Sequence, residues 1–169
     1  MTRVVLVPGA LALLPEYAGL EDPVPELRQA CLEAVGWLGA QVTVLADAQG
    51  ARVAEHLLTA TGPRTGDDAS YLVVGNGSAM RTEKAPGHLD ERAEAFDAGV
   101  GRCLKDGLWE SVRAIDRDLA DELWASVDAI IEMGSLPDLA LAHVDYDDDP
   151  YGVQYWVLRW CAGPRGFQS

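Results

Sequence analysis

Gly75-Asn76-Gly77-Ser78, followed at a short distance by Arg81, is the stretch of this sequence best equipped for chemistry. Glycine and asparagine tolerate positive φ, so the chain can turn sharply there. Backbone N–H groups bared by such a turn, together with the Arg81 guanidinium, would supply hydrogen-bond donors to a carboxylate or a phosphate. The competing use of Arg81 is an ion pair with a nearby acid, Asp90 or Asp97. Neither phosphate fingerprint fits, since the stretch reads as neither Gly-x-x-x-x-Gly-Lys nor Gly-x-Gly-x-x-Gly. Ser78 follows a glycine but lacks the Gly-x-Ser-x-Gly elbow and a histidine placed to activate it, so it does not read as a nucleophile.

The other chemically capable residues are scattered. His56, His88 and His143 show neither His-x-x-x-His nor His-x-His spacing, and read as surface or hydrogen-bonded side chains unless the fold gathers them. Asp145, Asp147, Asp148 and Asp149 offer hard oxygen ligands. They lack the glycine and distal glutamate of a calcium loop, so a solvated turn is expected. Cys31, Cys103 and Cys161 are far apart and fit no zinc or redox spacing, which suits small core thiols in a reducing cytoplasm. Tyr151, Tyr155, Trp156 and Trp160 near the C-terminus read as core packing or as a subunit contact.

The elements that must position these residues follow from periodicity. Residues 4–7 form a buried first strand, and residues 8–17 an apolar loop that packs over something such as a pocket mouth. Pro25 opens a helix whose face carries Leu27, Ala30, Cys31, Ala34, Val35 and Leu38, with Gly39 as its stop. A strand at 42–46 and a helix at 52–59 lead to the third strand, 71–74, which runs directly into the glycine turn. Asp90 is the expected N-cap of a helix reaching Lys105. Helical stripes then cover 108–123 and 127–131. Two strands follow, from Leu139 to Tyr146 and from Val153 to Trp160, with their mutual pairing left open. The order predicts an α/β fold: a three-layer sandwich with a mixed, mostly parallel sheet, helices on both faces and an antiparallel C-terminal edge. A strand that ends in a glycine turn before a helix is where such sheets hold ligands.

The chain of 169 residues suits one domain, 1–169, and its net charge of −14 disfavours nucleic acid and anionic membranes as partners. No apolar run approaches the ~20 residues of a membrane span. The early break at Pro8-Gly9 makes the N-terminal run a strand and not a signal peptide, and places the protein in the cytoplasm.

Val-Val-Gly-Asn-Gly-Ser-Ala-Met-Arg, then residues 85–93 with Phe96-Asp97, and late Tyr151-Gly152-Val153-Gln154-Tyr155, resemble an actinobacterial group related to class III extradiol ring-cleavage dioxygenases of the subunit-B-like fold. Residues 7–11 and 25–38 resemble that group's N-terminal segment, so the resemblance covers most of the chain. It implies a cleft at the strand ends. In active relatives, two histidines and a glutamate there hold a non-haem iron(II) that binds catecholate and oxygen. The first histidine belongs to a Pro-His-Pro-like turn after strand one. Here that turn is Pro8-Gly9-Ala10, so Gly9 stands in the ligand's place with no side chain to ligate. After strand two the chain has Asp47 and Gln49. The expectation is a non-catalytic relative without cofactor or metal, binding a small anionic or aromatic molecule in a cleft of Gly9, Gly75, Asn76, Gly77, Ser78, Arg81 and His88. Two alternatives stand beside it. One is a metal-dependent oxygenase or hydrolase using His88, His143 and acids, the only reading that admits iron(II). The other is a homo-oligomerising module.

Overall fold

Strands that are apolar on both faces call for cover on both faces, and this requirement sets the layout. The computed structural model describes residues 1–17 and 19–163. Its five-stranded mixed sheet has the order β2-β3-β1-β5-β4. β1 (Thr2–Val7), β2 (Val42–Leu45) and β3 (Ala69–Val74) are parallel, while β5 (Tyr155–Ala162) runs antiparallel to both β1 and β4 (Ala140–Asp148). The antiparallel C-terminal edge is as expected. The open question of strand pairing resolves into a β4–β5 ladder with two register shifts.

Alternation along the strands divides the apolar interior in two. Val5, Val7, Leu72, Val74 and Val157 join α1 (Pro25–Gly36) and α2 (Ala48–Ala60) in one core. Val4, Leu6, Val73, Trp156, Leu158 and Trp160 join α3 (Ala93–Asp106), α4 (Trp109–Arg113) and α6 (Asp128–Met133) in the other. A smaller cluster carries Ala120 of α5 (Arg117–Glu122) beside Val127 and Ile131. The β1–β2 and β2–β3 crossovers run in opposite directions across the sheet, yet α1 and α2 pack in the same core. The two connections therefore have opposite hands, and one departs from the usual right-handed crossover.

Several boundaries differ from the sequence expectation. α1 ends at Gly36, and Gly39 serves instead a close approach: a Cβ there would stand 2.8 Å from the Asp68 carbonyl oxygen. α2 starts at Ala48, earlier than expected, because the Asp47 carboxylate caps it by accepting from Gly50 N at 2.7 Å. α3 starts at Ala93. Asp90 caps no helix and accepts from Arg92 N and its guanidinium. Asp147 and Asp148 lie in β4, so the acidic run is mostly strand and only Asp149 enters the turn. The apolar loop after β1 forms short 3₁₀ turns that seat Leu13 and Leu14 in the first core, and Leu14, Pro15 and Glu16 edge a groove against α2. Each buried leucine contributes about 2 kcal/mol. Trp156 and Trp160 are 1% and 0% exposed, so the aromatic C-terminal strand is interior and offers no subunit contact through these rings.

Candidate functional site

The carboxyl ends of β1, β2 and β3 lie along one edge of the sheet, and the residues following them meet there. Gly9 sits against Val74 and Asn76: a Cβ built on it would lie 3.4 Å from Val74 Cγ1 and 3.8 Å from Asn76 Oδ1. Gln49, two residues past the Asp47 cap, turns its amide back and donates from Nε2 to the Gly9 carbonyl at 2.8 Å. Gly9, the position the resemblance gives to the first iron ligand, thus adjoins Gln49, and the residues here present a glycine, a tethered amide and a capping carboxylate. This donor set does not fit an iron(II) facial triad. His56 lines a groove on α2 with Glu16 and Arg52. His88 is exposed, with φ +62° and Nδ1 3.2 Å from the Glu83 carbonyl oxygen. His143 lies on β4, 3.8 Å from Asp145. Among the described residues no three His, Cys, Asp or Glu side chains gather in a metal-holding group.

The turn after β3 spends its backbone donors inside the fold. Gly75 N donates to Val7 O, Asn76 N to Ser126 O, Gly77 N to Gln154 O, Ala79 N to Leu123 O and Arg81 N to Gly152 O, all at 2.9–3.0 Å. Ser78 N donates to Asp97 Oδ1 at 2.7 Å, and its hydroxyl to Asp97 Oδ2 at 2.6 Å. These N–H groups face protein acceptors, so they form no anion-binding nest. The glycines are there for room: a Cβ on Gly75 would stand 2.7 Å from Ser126 O, and one on Gly77 2.6 Å from Asp97 Oδ1.

Arg81 turns to acids, as the alternative reading allowed. It lies 3.7 Å from Asp97 and donates to Asp149 at 3.1 Å, while Asp90 belongs to Arg92. Burial pushes the Asp97 carboxyl above its ordinary pKa, against the lowering pull of the Ser78 hydrogen bonds and of Arg81, with Asp149 adding to the rise.

A cleft of about 310 Å³ opens at the ends of β2 and β3. Val74, Asp47, Trp124, Ser126 and Asp128 contribute to its wall. Ser126 is held by the reciprocal bridge with Asn76, and Asp128 pairs with Arg117 at 2.5 Å. Trp124 is 56% exposed at φ +59°, a strained conformation for a bulky residue. Its ring packs close to Gly87, where a Cβ would meet it at 3.2 Å. The expected site residues therefore separate. Gly9, Gly75 and Asn76 buttress the cleft from behind, Gly77, Ser78 and Arg81 join the Asp97 network, and His88 belongs to neither. Trp124 and Ser126 were missed because the apolar stripe of 108–123 directs attention to inward-facing positions. The available signal was a tryptophan off that stripe.

No protein-family model matches the chain, and no curated protein does.

Proposed function

We propose that the chain is a non-catalytic relative of the class III extradiol dioxygenases that keeps their three-layer α/β fold and strand-end cleft. Its role is to bind a small aromatic molecule without negative charge, stacked on Trp124. The observation that carries this reading is the cleft itself. It opens at the carboxyl ends of the parallel strands, walled by an exposed, strained tryptophan, and by the resemblance Gly9 stands where an iron-binding relative has histidine. Asp47, Asp121 and Asp128 on the wall repel an anion, and Arg81 is engaged elsewhere, so the aromatic half of the expected ligand class is favoured over the anionic half. Aromatic stacking on an exposed indole contributes about 1 kcal/mol beyond the area it buries. The free state of Cys31, Cys103 and Cys161 supports a cytoplasmic setting.

The test is a thermal-shift and fluorescence screen of aromatic amines and neutral phenols, with benzoates as the anionic comparison. The expected result is stabilisation by members of the first two groups that Trp124→Ala abolishes while the variant stays folded. Stabilisation by benzoates alone, or binding unaffected by Trp124→Ala, would overturn the reading.

A further inference from the structure

A second cavity, of about 480 Å³, lies between α3 and the facing ends of β4 and β5, and shares no lining residue with the strand-end cleft. Two of its lining residues are more than nine-tenths buried yet leave a polar atom unmatched. Trp160 Nε1 donates to Leu104 O and Trp109 Nε1 to Leu139 O, but the indole N–H of Trp156, 1% exposed, donates to no group among the described residues. Gln154, 6% exposed, donates from Nε2 to Asp147 Oδ1 at 2.8 Å, while its Oε1 accepts from no described donor. Neither atom is sealed from solvent-sized contact, since Arg3 Nε is the one fully covered, unbonded side-chain nitrogen or oxygen among the described residues. Both residues line this cavity. Residues two apart along an extended segment face the same way, so β5 and its approach deliver one spare donor and one spare acceptor to the same space.

The glycine opposite contributes to this. A Cβ on Gly101 of α3 would stand 3.2 Å from Trp156 Nε1, so the helix leaves the indole N–H uncovered. The remaining walls carry both signs, Arg81, Arg102 and Lys105 against Glu94, Asp97, Asp106 and Asp147. Arg81 faces Asp97, Arg102 faces Asp106 and Lys105 pairs directly with Asp147. A free anion would face four carboxylates and a chain of net charge −14, and a free cation would face three basic side chains.

We propose that this cavity is a second binding site, taking a small zwitterion of the free amino acid class. The ligand's carboxylate accepts from the Trp156 indole N–H and its ammonium donates to Gln154 Oε1. A buried donor and acceptor that are both left unmatched favour a ligand that satisfies both at once.

The experiment titrates a panel of free L-amino acids into the intact ¹⁵N-labelled protein and follows the indole N–H signal assigned to Trp156. At least one amino acid is expected to shift that signal, with a Kd of about 1 mM or tighter. Gly101→Ala places a methyl group against Nε1, and Gln154→Met removes the acceptor at similar volume. Each folded variant is expected to weaken binding about tenfold or more. If one variant does not fold, the other decides. No shift of the Trp156 signal by any amino acid, or equal affinity in a folded variant, would overturn the proposal.

Discussion

Asp97 holds three parts of the molecule with one carboxylate: it accepts from Ser78 N and Ser78 Oγ and faces Arg81, which in turn reaches Asp149. Arg81→Ala removes a cation that stabilises a nearly covered anion. It should cost about 2 kcal/mol at neutral pH, or about 5 °C in Tm for a chain of this size. The sign of the pH dependence follows from the raised Asp97 pKa. A carboxyl whose folded value lies above its ordinary 3.8 binds its proton more tightly folded than unfolded, so ionisation costs stability above that value. Losing Arg81 raises the Asp97 pKa further. The penalty of the variant should therefore be full at neutral pH and shrink as pH falls through the Asp97 pKa, as read by urea unfolding across a pH series. A penalty constant over that range would assign Arg81 a role unconnected with Asp97. The Arg81–Asp97 pairing was legible because both residues are close in sequence. Asp149, 68 positions away, was not, since only the fold brings it near.

At the scale of elements, the turn after β3 is clamped between α6 and the approach to β5 through Ser126 and Gln154. Gly75→Ala would drive its methyl group to 2.7 Å from a backbone oxygen and 2.9 Å from Ile130 Cγ1. It should destabilise by about 1–3 kcal/mol. Gly9→Ala meets only ordinary contacts and should stay within about 0.5 kcal/mol of the parent. Urea midpoints measured on the two variants check the contrast, and equal losses would contradict it. Local signals read these elements well where they are self-contained: Pro25 opens α1, and the helix expected to reach Lys105 ends at Asp106. They failed where a boundary depends on one side-chain hydrogen bond, as with Asp47 capping α2, or on distant pairing, as with the β4–β5 register. The turn itself was found from its glycines. Their reason, room for Ser126 and Asp97, required the fold.

For the whole molecule, an α/β sheet with helices was legible from the alternation of apolar strands and amphipathic helices, and the observed sheet order was not. Two cavities flank the strand-end turn, one acidic with an exposed tryptophan, the other lined by charges of both signs. No helix among the described residues is long and apolar enough to cross a membrane. The account rests on the strand-end residues being unable to hold iron while the cleft beside them persists. Metal analysis of protein purified without chelators, from cells supplied with iron, tests this most directly. The predicted result is iron far below one atom per chain and no ring cleavage of catechol by protein reconstituted with iron(II). Retention of one iron per chain through dialysis, accompanied by catechol cleavage, would contradict it.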